Sequence, residues 1–172
     1  MAEGTRTTSS PGNLDPSVLL YDPYRYTSIL MLNSMPGWIE ISWPKQRTIN
    51  EIEIYTGDTN GSAAPSTECV PLDYQLQFKK NGQWVDIIPP VTNAMRYTEW
   101  LKPGQRIDDF KYQHKFSPVQ TSAVRLYITR SSDSGLRVSS PDKVVIPPDK
   151  RNTMIRRIDI FEAQTGISGK GK

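Results

Sequence analysis

The residue types that most often carry covalent chemistry are scarce in this chain. His114 is the one histidine and Cys69 the one cysteine among 172 residues. A serine or cysteine nucleophile needs a nearby base, usually a histidine, and zinc sites usually take several histidine and cysteine ligands. Cys69 has no histidine near it in the sequence, so we expect an ordinary, partly buried cysteine. His114 alternates with Phe110, Tyr112 and Phe116, and this spacing predicts a packed or rim residue on a strand face.

Carboxylate pairs offer a second route to catalysis, because glycoside hydrolysis needs two carboxyl groups at a defined separation. Asp108 and Asp109 are the only adjacent acids, and they stand beside a predicted turn, where solvated acids are common. Glu51 and Glu53 alternate with isoleucines and are interpreted as solubilising charges on an outer strand face. With no nucleophile and base set, the sequence predicts that the chain is not an enzyme.

Net charge and hydropathy limit the classes of partner that the sequence predicts. The net charge is +3 and the basic residues do not form one block, so a nucleic-acid partner is not predicted. No apolar run reaches the roughly 20 residues of a membrane span. One cysteine allows no internal disulfide, and at this length an apolar core can form without one.

Alternating apolar residues dominate the rest of the chain. Ile39, Ile41 and Trp43 share one face of a predicted strand, and Ile52 and Ile54 share a face of the next. We therefore predict an all-β protein, an antiparallel β-sandwich (jelly roll) of about eight strands. The clearest strands are predicted at 38–43, 49–56, 73–79, 84–88, 110–116, 123–129 and 153–162, and a weakly patterned strand is predicted at 95–101.

Polar stretches set the predicted domain limits. Residues 1–13 are predicted to be a disordered lead-in or linker, residues 14–163 one domain, and residues 164–172 a flexible tail or linker. The stretches 57–71 and 130–152 lack a period and are predicted to be long loops.

The order of the segments resembles the galactose-binding-like jelly roll of discoidin domains, coagulation-factor type C domains and many bacterial carbohydrate-binding modules. The resemblance covers residues 14–163. It rests on an early Trp-Ile-Glu strand at 38–43, the following strand at 49–55, and a final strand at 155–161. It also rests on an Asp-Tyr strand with its turn and Trp at 71–84, and on a Phe-Ser-Pro-Val and Val-Arg-Leu signature at 116–126.

The resemblance implies a non-catalytic binding function. Members bind glycans, lipid headgroups or proteins through loops at one end of the sandwich, usually as one module of a larger secreted or surface protein. We therefore expect carbohydrate binding, in an extracellular or cell-surface setting. The alternative is an interaction or spacer module that packs against a neighbouring domain of the parent chain and binds no sugar.

Sugar binding needs aromatic faces for stacking and planar polar groups that hold hydroxyls. The candidates outside the clearest strands are Tyr24, Arg25, Tyr26, Asn93, Arg96, Tyr97 and Trp100. The other interpretation of these aromatic residues is that they close the ends of the sandwich. The stretch 130–152 has no aromatic residue but several basic ones, including Arg130 and Arg137, which suits an anionic ligand, a neighbouring domain or simple solvation.

Many proteins of this kind hold a structural calcium ion between an early loop and the last strand. Asp22, Tyr24 and Thr27 match the spacing of the loop ligands that the resemblance implies. The second acid of that site would stand near the start of the last strand, where this chain has Arg157. A guanidinium cannot bind a cation, so the hypothesis is that Arg157 pairs with Asp22 in place of calcium, and no cofactor is expected. The alternative is two unrelated surface residues.

Overall fold

Antiparallel strands make up almost all of the structure. The structure is a computed structural model, and it describes residues 4–10, 30–56, 69–94, 111–139 and 142–163. The helical structure in these ranges is one 3-10 turn, Pro148–Lys150. The strands are β1 (Arg6–Ser9), β2 (Leu30–Leu32), β3 (Gly37–Thr56), β4 (Pro71–Lys80), β5 (Gln83–Asp86), β6 (Lys111–Ser131), β7 (Leu136–Ser139), β8 (Asp142–Val145) and β9 (Thr153–Glu162).

Two long strands, β3 and β6, form the centre of the main sheet. They run antiparallel, from Gly37 opposite Ile128 to Tyr55 opposite Lys111. In the middle, residues 43–46 of β3 lie opposite a single residue of β6. A bulge of this kind bends a strand and increases its twist without ending the pairing.

The sequence pattern predicts separate strands where the structure has these two. The predicted strands at 38–43 and 49–56 are one strand, and those at 110–116 (described from residue 111) and 123–129 are another. Pro44 is exposed in the bulge, so the apolar alternation lapses there although the backbone stays extended. Sequence periodicity reports burial, and it therefore misses a strand that continues across a bend.

The pairing separates the structure into two layers. In the first layer, β4 pairs with the second half of β6, β5 pairs with β4, and β1 pairs with the first half of β3. In the second layer, β9 pairs with the second half of β3, and β2 pairs with β9. The strand order along the main sheet is β2-β9-β3-β6-β4-β5.

The apolar core lies between the two layers. Ile39 and Leu126 of the first layer belong to the same buried cluster as Ile54 and Ile158 of the second. Burying such side chains stabilises the fold by about 1.5–3 kcal/mol each. The predicted all-β antiparallel sandwich is therefore confirmed.

The hairpin between β4 and β5 forms as predicted. Asn81 and Gly82 connect the strands with φ values of 51° and 80°. A two-residue turn with positive φ at both positions matches the right-handed twist of the strands it joins. Asparagine and glycine are the residues that adopt this conformation most easily, which is why the sequence predicts the turn well.

Two stretches without a predicted strand contain strands in the structure. Residues 6–9 of the predicted lead-in form β1, where Thr7 pairs with Ile41. The predicted loop 130–152 contains β7 and β8, which pair as a separate two-stranded sheet. Backbone pairing holds both of these elements, and neither has a strong periodic signal in the sequence. Among the described residues, no helix is long and apolar enough to cross a membrane.

Candidate functional site

Segment 57–68, which the structure does not describe, is flanked by residues that meet at one backbone position. Thr56 Oγ1 donates a 2.6 Å hydrogen bond to the Met154 carbonyl. The Met154 N–H donates to the Cys69 carbonyl at 2.7 Å. The chain therefore leaves and re-enters the described structure beside the start of β9.

Segment 95–110 is flanked by residues close to the same place. The Ala94 N–H donates to the Leu72 carbonyl at 2.9 Å. Tyr112, near the start of β6, donates its hydroxyl to the Pro71 carbonyl at 3.0 Å. Both ends of the segment therefore lie beside the start of β4.

Segment 11–29 has its flanking residues at this end as well. The Ser10 N–H donates to the Trp38 carbonyl at 3.0 Å, near the start of β3. Leu30 pairs with Ile155, which also pairs with Thr56. We call this end of the sandwich, marked by Thr56, the start of β4 and the start of β9, the loop end.

The predicted ligand residues divide between the described and undescribed parts of the chain. Tyr24, Arg25 and Tyr26 belong to segment 11–29, and Arg96, Tyr97 and Trp100 to segment 95–110, all outside the described residues. Asn93 is described and lies at the loop end. The role of all seven residues in ligand binding stays a prediction. The residues that flank both segments lie at the same end of the sandwich as Asn93.

Asn93 is held in a polar cluster with Asp73 and Arg130. Arg130 Nε and Nη2 donate to the two carboxylate oxygens of Asp73, at 2.6 and 2.8 Å. Arg130 Nη2 also donates to Asn93 Oδ1, and the Asn93 N–H donates to Asp73 Oδ1 at 2.8 Å. Asn93 has a φ of 49°, a left-handed conformation that asparagine tolerates better than most residues. The contacts fix the Asn93 side chain at the surface, with its Nδ2 donating to no described residue.

Arg130 is neutralised within this cluster. Its hydrogen bonds hold the pKa of the Asp73 carboxyl below the usual value, while Asp73 raises the pKa of Arg130. This bidentate geometry is the strong form of an arginine–carboxylate pair. Arg130 therefore positions Asn93 instead of presenting an unpaired charge to an anionic ligand.

Asp73 is the member of the cluster that sequence analysis missed as a site residue. It belongs to the Asp-Tyr pair that carries the resemblance, and its alternation with Tyr74 indicates an ordinary outward-facing strand residue. The alternation within β4 carries no sign of this role. The role follows from the pairing between β4 and β6, which places Asp73 opposite Arg130.

Glu53 lies in a second polar cluster, on the outer face of the second layer. Only 4% of the residue is exposed. Lys111 Nζ and Tyr55 Oη donate to its carboxylate, the latter at 2.6 Å, and Gln113 Nε2 donates at 3.1 Å. The prediction that Glu53 is a solubilising charge is therefore wrong, because both faces of β3 are covered here.

The protonation states in this cluster follow from burial and pairing. Burial alone would raise the pKa of the Glu53 carboxyl, but the hydrogen bonds from Lys111 and Tyr55 bring it below the usual value. Burial, followed by the bond to Glu53, raises the pKa of the Tyr55 hydroxyl. The bond to Glu53 raises the pKa of Lys111. Glu53 is thus a buried carboxylate that stays charged.

Arg157 belongs to the same cluster. Its guanidinium carbon lies 3.9 Å from the centroid of the Tyr55 ring, and its Nε lies 3.1 Å from Asp159 Oδ2. Arg157 is therefore held by a side chain of β3 and by one of its own strand, β9. Asp22 and Thr27 lie outside the described residues, so the pairing of Arg157 with Asp22 stays a prediction. Within the described residues, no three His, Cys, Asp or Glu side chains are grouped to hold a metal ion.

The candidates for covalent chemistry lie in the framework. His114 Nε2 is 2.8 Å from the Tyr74 hydroxyl, and burial lowers the pKa of His114 below its usual value. This is the packed strand-face histidine that the sequence predicts. Cys69 is buried, as expected for a structural thiol. Asp108 and Asp109 lie outside the described residues.

Comparison with solved structures defines the fold. The family 32 carbohydrate-binding module from Streptococcus pneumoniae EndoD aligns with a TM-score of 0.60 at 14% identity, over 93% of this chain and 97% of that chain. The chain has the galactose-binding-like fold. GH31 CBM32-2 bound to GalNAc aligns with a TM-score of 0.59 at 12% identity, over 94% of this chain and 100% of that one. The family 32 module of Clostridium perfringens NanJ, in complex with galactose, aligns with a TM-score of 0.54 at 13% identity, over 92% of each chain.

Sequence comparison does not identify a family for the chain. No protein-family model matches the chain, and no curated protein matches it. At 12–14% identity the likeness extends to the galactose-binding-like fold alone.

Proposed function

We propose that this chain is a non-catalytic carbohydrate-binding module that holds a glycan at the loop end of the sandwich. The observation that carries the proposal is that the residues flanking segments 11–29, 57–68 and 95–110 all lie at this end. Two of these segments contain the aromatic and planar polar residues that sugar binding needs. Asn93, fixed by Asp73 and Arg130, offers an exposed amide at the same end.

The chemistry of the site favours binding over catalysis. Among the described carboxylates near the loop end, Asp73 and Glu53 are engaged by cations, and Asp159 lies 3.1 Å from Arg157. Asp133 accepts hydrogen bonds from the Gly135 and Asn152 N–H groups. A glycosidase needs one carboxyl group that is protonated and a second that is free to attack or to activate water. The three solved structures named above are carbohydrate-binding modules, and two of those three contain GalNAc or galactose, which makes galactose-type sugars the first ligands to test. An extracellular location as part of a larger protein is included in this proposal.

The second candidate is a module that packs against another domain. Val144 and Val145 of β8 are 51% and 70% exposed. Neighbouring exposed valines on a two-stranded hairpin suit a protein contact better than a sugar contact. This candidate requires no glycan at the loop end.

A glycan array followed by calorimetry on the hits separates the two candidates. We expect saturable binding that is lost in Trp100→Ala and Tyr24→Ala and weakened in Asn93→Gly. Glycine suits Asn93 because it removes the side chain but accepts the positive φ. Lys45→Ala is the matched control, since Lys45 is exposed in the bulge of β3. An array without hits, with all variants folded, would contradict the carbohydrate-binding proposal.

A further inference from the structure

The outer face of the first layer carries aromatic residues around one arginine. Trp38 pairs with Tyr127, and Tyr127 pairs with Gln75. One step along the strands, Arg125 is paired with Glu40 and Gln77. Because directly opposed residues of an antiparallel pair point to the same side, these side chains share one face. We call the surface made by Trp38, Glu40, Gln77, Trp84, Arg125 and Tyr127 the Arg125 face.

This face is turned away from the core. Leu76 and Leu126, which alternate with the residues of the face, are buried between the layers. Trp38, Trp84 and Tyr127 are all half-buried, so each ring keeps part of its surface in water. Large aromatic side chains on the solvent side of a sheet are not explained by core packing.

Arg125 is fixed in one geometry. Its Nε and Nη2 both donate to Gln77 Oε1, at 2.9 and 2.6 Å. Gln77 Nε2 in turn donates to Asp86 Oδ1 at 2.9 Å and to Gln75 Oε1 at 3.2 Å. The Gln77 amide thus accepts through its oxygen and donates through its nitrogen. This network holds the Arg125 guanidinium in place without a bound ligand.

Two aromatic rings flank the guanidinium. Its central carbon lies 4.5 Å from the centroid of Trp84 and 5.4 Å from that of Tyr127. Lys79 Nζ also lies 5.5 Å from the Trp84 centroid. Stacking of this kind locks ring and guanidinium together, so the face is pre-organised and loses little side-chain entropy when a ligand binds.

The charge on the face is mixed. Arg125 donates to a neutral amide, and no carboxylate of the described residues forms an ion pair with it. The carboxylates of Glu40 and Asp86 stand near enough to influence it electrostatically. Cations and anions therefore alternate across the face, which does not suit nucleic acid or an anionic lipid surface, both of which need a continuous basic patch.

The same set of groups suits a neutral polyhydroxylated chain. Hydroxyls accept from a guanidinium and donate to carboxylates, and the faces of sugar rings pack on aromatic rings. The face crosses four strands, β3, β6, β4 and β5, a width of about 14 Å at the usual spacing. A surface of this width has room for several sugar units, so it suits the interior of a chain as well as its terminus.

We propose that the Arg125 face is a second carbohydrate-binding site, which takes an internal run of a neutral oligosaccharide. The proposal builds on the glycan-binding function but uses residues of the sheet instead of the loop end. The two sites would let one module hold a long polysaccharide at two points, and the gain in avidity depends on both being occupied.

The experiment compares two sets of variants on two kinds of probe. The probes are free galactose and N-acetylgalactosamine on one hand, and soluble galactan and galactomannan with their tetrasaccharides on the other. The face variants are Trp84→Ala and Arg125→Gln, with Trp84→Phe as the conservative variant that keeps a stacking ring. The loop-end variants are Trp100→Ala and Asn93→Gly, and Lys45→Ala is the control.

We expect the face variants to weaken binding of the polymer or its tetrasaccharides about tenfold, roughly one decade in Kd, and to leave monosaccharide binding unchanged. Trp84→Phe should restore most of the affinity. In NMR titrations of the unmodified chain, the Trp84 indole and Gln77 side-chain amide signals should shift with a tetrasaccharide and stay constant with the monosaccharide.

The outcomes separate the two proposals. If loop-end variants abolish binding of every probe, and the Trp84 and Gln77 signals do not move, the second site is overturned while the glycan-binding function stands. If no probe binds the unmodified chain, both proposals fail. A check of the melting temperature of each variant distinguishes lost contacts from lost folding.

Discussion

Lys111 Nζ donates a hydrogen bond to the Glu53 carboxylate, joining the start of β6 to the last residues of β3. This contact ties a strand that follows segment 95–110 to the strand that ends at segment 57–68. The framework at the loop end therefore depends on a buried charge.

Glu53→Gln should lower the free energy of unfolding by about 2 kcal/mol, because removal of the carboxylate leaves the buried Tyr55 hydroxyl and the half-buried Lys111 ammonium without their charged acceptor. Urea titration monitored by tryptophan fluorescence measures the change. Glu51→Gln is the control on the same strand. Lys115 lies 4.0 Å from Glu51 and is mostly exposed, and the exposed hydrogen bond from Gln113 can be kept by the amide oxygen of glutamine, so the loss should be under about 1 kcal/mol. Equal losses would show that burial of Glu53 adds nothing.

The same carboxylate should make stability depend on acid pH. The folded-state pKa of Glu53 lies below the ordinary value of 4.5, so its stabilising contribution is complete above that value and is lost as the pH falls through the folded-state pKa. Melting temperatures between pH 7 and pH 3 should fall more steeply for the unmodified chain than for Glu53→Gln. Parallel curves for the two proteins would refute the assignment.

His114 should make the stability of the domain depend on pH in a higher range than Glu53 does. Burial lowers its folded-state pKa below 6.5, so the unfolded chain takes up a proton first as the pH falls. Stability should therefore be constant above about pH 6.5 and decline below it. His114→Gln, which keeps a polar partner for the Tyr74 hydroxyl, should remove this part of the decline. The difference between the two proteins is measured by melting at pH 7.5 and pH 5.5, and its absence would contradict the prediction.

Arg130→Lys should loosen Asn93 without unfolding the domain. Lysine cannot reproduce the two-pronged contact with Asp73, and the pair is partly exposed, so the loss of stability should stay within about 1 kcal/mol. Amide exchange of Asn93, whose N–H donates to Asp73, should nevertheless accelerate clearly. Arg47→Lys, which alters the surface pair with Glu162, is the matched control and should leave Asn93 exchange unchanged.

Gly135→Ala and Gly82→Ala form a matched pair for the two hairpins. Both glycines have positive φ, 74° and 80°, so each substitution should cost about 1–2 kcal/mol in backbone strain. A Cβ on Gly135 would also stand 2.5 Å from the Ile146 carbonyl oxygen, whereas one on Gly82 would contact nothing. Gly135→Ala should therefore destabilise the domain more in thermal melting, and the reverse order would contradict the geometry around β7 and β8.

The sequence alone determined the fold class and the local turns. Alternation of Ile39, Ile41, Ile52 and Ile54 predicts strands, because successive side chains of a strand point alternately to the core and to water. This alternation can be recognised from the sequence of each strand alone. Asn81 and Gly82 predict their hairpin because the required positive φ is a property of those residues themselves. His114 was correctly placed on a strand face for the same reason.

Tertiary structure decided which polar residues act together. Glu53 has the pattern of a solvated residue, yet it is buried, because side chains of strands that are far apart in the sequence pack around it. Asp73, Asn93 and Arg130 form one cluster, and Arg125 stacks between Trp84 and Tyr127, only through pairing among β4, β5 and β6. Periodicity measures burial along a single strand, whereas these contacts depend on the register between strands. That register is fixed by the whole core, and no short stretch of sequence encodes it.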